Sequence, residues 1–190
     1  MINMDDKKEA KYMSNLKLIK PSIEYFKQYK EMMDEWNMEG SRIAPWPLHL
    51  KYHTEEFYND MLKRIDEVDK GINLDGYAAS TTYWLYDITN NSIIGASNLR
   101  HYLDEMGEKY WGHIGYGIRP SERKKGYGTQ LLRLTLEKAK GMNLDRVMLA
   151  AYEGNIGSWK IMEKCNGEFK EIIYEEETGL PIKKYYIDLQ

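Results

Sequence analysis

Cysteine is almost missing from the 190 residues: Cys165 stands alone, so no disulfide can form within the chain, and a reducing compartment is the simpler reading. Long apolar runs are missing too. None reaches the roughly 18 residues that a membrane-spanning helix needs, and Met1 to Asn15 is too polar for a secretory leader. A cytoplasmic protein with no membrane partner is therefore expected. Neither sign of charge dominates: the net charge of −3 lacks the basic footprint of a general nucleic-acid binder, so no nucleic-acid partner is expected. Histidine is sparse. His49 and His53 are four apart, but Pro45 and Pro47 put them near a loop and no third ligand follows, so no metal is expected. What remains, 42% hydrophobic and 30% charged residues, is the balance of an ordinary globular domain. Residues 1–13 read as a polar tail and 14–190 as a single domain.

Hydrophobic periodicity orders that domain. Leu16 to Lys20 is a short alternating strand stopped by Pro21 and Ser22. From Ile23, the positions of Phe26, Tyr29, Met33 and Trp36 recur at helical spacing and predict a helix ending near Gly40. Thr54 is an N-cap candidate for a second helix reaching Asp69. Thr81–Ile88 and Ser92–Leu99 predict a hairpin turning at Asn90-Asn91, and Tyr110–Ile118 a third antiparallel strand. A helix over Thr129–Lys140, an apolar strand over Arg146–Tyr152, a short helix over Ser158–Cys165 and a hairpin of Phe169–Tyr174 with Ile182–Leu189 complete the order β-α-α-β-β-β-α-β-α-β-β. The third strand and the Arg146–Tyr152 strand are expected side by side and parallel.

Between Ile114 and Leu132 the chain runs from a strand through a basic loop and two spaced glycines into a helix. A helix start leaves backbone N–H groups without partners and carries partial positive charge, so a loop entering through Gly126 and Gly128 can close those donors on a phosphate. Arg119, Arg123, Lys124 and Lys125 add cationic side chains around the same turn. Other phosphate motifs do not fit: Leu131 stands where a dinucleotide fingerprint needs Gly or Ala, and no P-loop pattern occurs.

Arg123-Lys124-Lys125-Gly126-Tyr127-Gly128, followed some thirty residues later by Asn155-Ile156-Gly157-Ser158, resembles the pyrophosphate and asparagine motifs of the GCN5-related N-acetyltransferases (GNAT). The similarity spans roughly residues 14 to 189 and leans toward the branch acting on ribosomal proteins and small amines. It implies an α/β GNAT fold, with a mixed, mostly antiparallel sheet of about seven strands splayed at strands four and five and flanked by four helices. It also implies acetyl-CoA as cofactor and direct attack by a small-molecule or peptide amine in a ternary complex; a homodimer is one compatible assembly. By resemblance, the diphosphate would be held by Arg123, Lys124, Lys125, Gly126, Tyr127, Gly128 and Thr129. Ile118 would face the thioester carbonyl and Asn155 the pantetheine. Ser158 would serve the departing thiolate as proton donor, against the plainer role of a helix cap.

Two departures stand out. The strand before the glycine turn lacks the glutamate that often serves relatives as base, leaving His113 as its ionisable imidazole, with a half-buried structural role as the alternative. Met162 stands where many relatives place a tyrosine. Together they motivate a rival reading, a non-catalytic acetyl-CoA-binding sensor. For the acceptor, Asp34, Glu35, Glu39, Glu55 and Glu56 suggest steering of a cation, and Trp36, Trp46, Tyr83 and Trp84 a cleft lining, against ordinary solvated faces and core aromatics.

Overall fold

The computed structural model describes residues 15–50 and 54–189. The tail assigned to residues 1–13 and His53 lie outside the described residues.

Local signals in the sequence become elements for identifiable reasons. Strand β1 is Leu16–Ile19. Helix α1, Phe26–Glu39, follows a single 3-10 turn at Ile23–Tyr25 and stops at Gly40, which takes the left-handed conformation at φ 71. Helix α2, Glu55–Asp69, begins at Thr54, whose hydroxyl accepts from the Phe57 N–H at 3.3 Å. Next come β2, Ser80–Asp87, and β3, Ser92–Arg100, which pair antiparallel. Strand β4 is Ile114–Ile118 and helix α3 is Tyr127–Gly141. Strand β5, Arg146–Tyr152, precedes helix α4, Ile156–Lys164, and the chain closes with β6, Glu168–Tyr174, and β7, Pro181–Asp188. Among the described residues, the seven strands and four α-helices agree with the expected α/β architecture.

The sheet is broken between β4 and β5. Strands β1-β2-β3-β4 form one antiparallel sheet, and β5-β7-β6 another. The side-by-side pairing expected of β4 and β5 is corrected: among the described residues no ladder joins them, and the isolated bridge of Gly112 with Leu149 lies just before β4. The root of the split is pinned, since the His113 N–H donates to the Met148 carbonyl at 2.7 Å. Gly112 makes this approach feasible. It sits at φ 67, and a Cβ there would meet the Leu149 Cα at 2.9 Å. The expected strand start at Tyr110 is also corrected, because Gly107–Trp111 closes into a π-helical turn and the strand begins only at Ile114.

Packing sets the split firmly. Trp84, fully buried on β2, stacks on Tyr29 of α1 at 5.0 Å and on Tyr58 of α2 at 6.1 Å, locking both helices to the first sheet. Leu132 and Ala139 of α3, Val147 and Leu149 of β5 and Tyr185 and Ile187 of β7 form a second core that joins the two sheets behind the opening. Among the described residues, no helix is long and apolar enough to cross a membrane.

Candidate active site

The glycine loop forms a rigid turn with its amides open. After a 3-10 turn at Pro120–Glu122, Lys124 takes φ 63 and Gly126 φ 86, two left-handed positions that turn successive N–H groups toward one side. Among the described residues, the N–H groups of Lys124, Lys125, Gly126 and Gly128 have no backbone acceptor. That is a nest suited to a phosphate. The Thr129 N–H is spent on the Gly126 carbonyl at 3.1 Å, which leaves its hydroxyl as the group it can offer. Tyr127 contributes core instead of a ligand side chain, packing with Leu131, Ile118 and Leu85. Gly128 has a packing role as well, since a Cβ there would meet the Ile161 side chain at 2.6 Å.

The arginines around the loop anchor it. Arg123 donates to both carboxylate oxygens of Glu39 at 2.8 and 2.7 Å, to the Ser41 hydroxyl at 3.1 Å and to the Ile118 carbonyl at 3.1 Å. Arg119 pairs with Glu35, which also accepts from the N–H and hydroxyl of Ser121. These guanidinium groups therefore bind α1 to the loop, and the mobile charge expected of Arg123 falls to Lys124 and Lys125, the latter 3.0 Å from Glu122.

The same contacts correct the steering role of Glu35. Burial opposes its ionisation, but the hydrogen bonds from Arg119 and Ser121 outweigh it and hold the carboxyl below the ordinary glutamate value of 4.5. A depressed folded-state pKa gives stability that is complete above that ordinary value and is lost as pH falls through the lower one. Glu35→Gln is expected to cost about 1–2 kcal/mol at pH 7 and to loosen the loop. Thermal melts at pH 7 and below pH 4 check this. Trp84 and Tyr83 are corrected as cleft residues, being core at 0% and 7% exposure, and Trp36 is buried beneath the Arg123 guanidinium.

The cleft between the split strands has a floor and two walls. Ile114–Tyr116 face Ala150–Tyr152 across a cavity of about 240 Å³, with Asn155 and Ser158 at its α4 end. Odd-numbered residues of β4 face β3, as the Arg119 N–H to Ile94 carbonyl bond shows, so Tyr116 and Ile118 direct their main-chain N–H groups to the open edge. Of these two, Tyr116 lines the cavity. Its hydroxyl accepts from the Ser158 hydroxyl at 3.0 Å and donates to the Ser158 carbonyl at 2.9 Å. Burial raises the Tyr116 phenol well above its ordinary value, so it remains protonated through the neutral range.

Asn155 is the cap of α4, accepting from the Ser158 N–H at 3.2 Å, which leaves the Ser158 hydroxyl to Tyr116. His113 is corrected as a proton relay. Its Nδ1 accepts from the Met148 N–H at 2.9 Å, the ring does not line the cleft, and burial lowers its pKa, so it serves as a neutral strut. His49 bonds the Ile43 carbonyl at 2.7 Å. Met162 is buried core, which accounts for an apolar residue there.

A family model described as acetyltransferase (GNAT) domain matches residues 15–168. Among solved structures, RimL, a ribosomal L7/L12 alpha-N-protein acetyltransferase in complex with coenzyme A, is 15% identical; the match covers 92% of this chain and 94% of that one, with a TM-score of 0.67. A ribosomal-protein-S5-alanine acetyltransferase from Vibrio fischeri is 17% identical over 92% of each chain, with a TM-score of 0.66. The spermidine/spermine N-acetyltransferase SpeG from Vibrio cholerae is 16% identical over 93% and 95%, with a TM-score of 0.62. No curated protein sequence matches the chain.

Proposed function

Because the chain belongs to the acetyltransferase (GNAT) family, we propose that residues 14–190 act as one domain that transfers the acetyl group of acetyl-CoA to a primary amine by direct attack in a ternary complex. The observation that carries this reading is continuity. The open amides of Lys124, Lys125, Gly126 and Gly128 lead past the free edge of Ile118 to the Tyr116–Ser158 pair, a path suited to a diphosphate, a pantetheine arm and a thioester in that order. Relatives with the same fold are known as acetyltransferases of ribosomal proteins and of spermidine, which is in keeping with a nitrogen acceptor.

In this reading Lys124, Lys125, Gly126 and Gly128 hold the phosphates through main-chain N–H groups, and Ile118 orients the pantetheine. The Tyr116 N–H, two residues and about 7 Å farther along the strand, receives the charge developing on the thioester oxygen. The amine nitrogen forms the new C–N bond as the C–S bond breaks. Ser158, held by the buried Tyr116 phenol, turns its hydroxyl hydrogen to the departing sulfur, gives it that proton and regains one from water, filling the proton-donor role that the Met162 position lacks. The amine's proton leaves through water past Glu175, the one carboxylate lining this cavity among the described residues; hydrogen bonds from Thr178 and Tyr152 hold its pKa low, so solvent is the final acceptor.

Thiol release from acetyl-CoA over an amine panel, with calorimetry of coenzyme A, tests the proposal. Turnover on at least one amine is expected; binding without turnover on any would favour the sensor reading. Lys124→Ala is expected to weaken coenzyme A binding only about three- to tenfold and to reduce its salt sensitivity, because the side-chain charge assists while the amides hold. Titrations at two ionic strengths check this.

A further inference from the structure

A second, larger cavity of about 490 Å³ opens beside the reaction cleft, walled by Trp46, Tyr77, Trp111, Val68 and Leu74. It shares Arg42, Trp46, Arg100 and Trp111 with the cleft that holds Ser158 and Tyr116, so a molecule lying in it can reach the place of acetyl transfer. Its charge is one-sided. Arg42, Arg64 and Arg100 line it, and no carboxylate does among the described residues.

The three guanidinium groups are not equivalent. Arg64 is answered by Asp75 at 3.1 Å and by the Asn73 carbonyl at 2.6 Å. Arg100 donates to the Gly112 carbonyl at 2.8 Å and lies over the Trp111 ring at 5.5 Å, yet no described carboxylate comes within ion-pair distance. Asp104 acts on it only from farther away, its two oxygens being taken by the N–H groups of Ala78 and Gly107. Burial accordingly lowers the Arg100 pKa from its ordinary value. Arg42 lies over the Tyr152 ring at 5.0 Å, with Glu175 as the acid that senses its charge. A half-buried guanidinium with one protein hydrogen bond and no ion-pair partner keeps donors for a ligand, and its planar fork matches a carboxylate or phosphate.

We propose that the acceptor is a primary amine that also carries a carboxylate or phosphate, its anion seated on Arg100 and Arg42 and its body against Trp46, Tyr77 and Trp111. This rests on the acetyl-transfer reading and adds the acceptor's class to it. The amine then faces the cleft at Ser158 and Glu175, while the anion fills the arginine cavity. A polyamine, cationic at every nitrogen, is repelled by the same walls.

The test is calorimetry on the protein saturated with coenzyme A, which binds without reacting. Phenylalanine is compared with phenylalaninamide, phosphoethanolamine with ethanolamine, and spermidine serves as the polycation. In at least one pair the member that carries the anionic group is expected to bind about tenfold or more tighter than the counterpart that lacks it. That preference should weaken as salt rises and disappear in both Arg42→Gln and Arg100→Gln, with coenzyme A affinity retained. Equal, weaker or undetectable binding of both anionic members, a preference that survives either substitution, or spermidine as the tightest ligand overturns the proposal. Should Arg100→Gln fail to fold, Arg42→Gln and the salt dependence decide. Thiol release on the same compounds separates the two readings. Fastest turnover of spermidine sinks the anionic acceptor and leaves acetyl transfer standing; selective binding of an anionic amine with no turnover of any compound does the reverse.

Discussion

Gly126→Val loses coenzyme A, with Kd rising about a hundredfold or more, while the protein stays folded. Gly126 sits at φ 86, a conformation that costs an L-residue about 1–2 kcal/mol and a β-branched one more. Relief comes by turning the peptide planes on either side, which re-aims the Gly126 N–H directly and displaces those of Lys125 and Gly128 from a common point. Three charge-assisted hydrogen bonds then weaken together, each worth roughly 1.5–3 kcal/mol, so even their partial loss exceeds about a hundredfold. The fold survives because the loop is tied down independently by Arg119 on Glu35 and Arg123 on Glu39. Gly126→Ala, without the branch, should fall between. Calorimetry with coenzyme A, and a melting curve for each variant, give the two readouts.

Ser158→Ala lowers kcat by about a hundredfold, the usual scale for removal of a proton donor, with coenzyme A affinity nearly unchanged. Tyr116→Phe lowers kcat less, about tenfold, because it removes the partner that holds the serine hydroxyl and not the hydroxyl itself. The double variant should cost little more than Ser158→Ala alone, since residues acting as one unit are not additive. The pH profile separates this from a titrating acid. With its phenol pushed above the ordinary tyrosine range, Tyr116 adds no inflection near neutrality, so the rising limb follows deprotonation of the amine in wild type and in Tyr116→Phe alike. A new alkaline inflection in either would contradict the assignment.

The parts of this site legible in the sequence are those fixed by neighbours along the chain. Thr54 capping α2, Gly40 ending α1, the strand Arg146–Tyr152 with its buried Val147–Leu149 and the glycines after a basic loop are all local, and each stands where its pattern predicts. The strand expected from Tyr110 failed because Tyr110 and Trp111 are good strand formers, yet Gly112 at φ 67 delays the strand and bends the chain against β5. Contacts distant in sequence were not legible. Glu35 reads as a free acid on a helix until Arg119, 84 residues away, is seen to claim it. Trp84 reads as a cleft aromatic until two helices close over it. Tyr116 carries no motif at all, since only the third dimension brings its hydroxyl to Ser158, and Arg100 becomes notable only when its missing counter-ion can be seen. Composition pointed to a cationic acceptor because it counts acids; the cavities, lined by arginine, point the other way.

The central claim, that main-chain amides at the entry to α3 grip the diphosphate and aim the acyl group into the split between β4 and β5, is tested most directly by amide chemical shifts. The protein, labelled with nitrogen-15, is titrated with coenzyme A and each N–H followed separately. The account predicts the largest saturable shifts at Lys124, Lys125, Gly126 and Gly128, with Tyr116 and Ile118 moving at the same Kd. Saturable shifts gathered elsewhere, with these six amides unmoved, would contradict it.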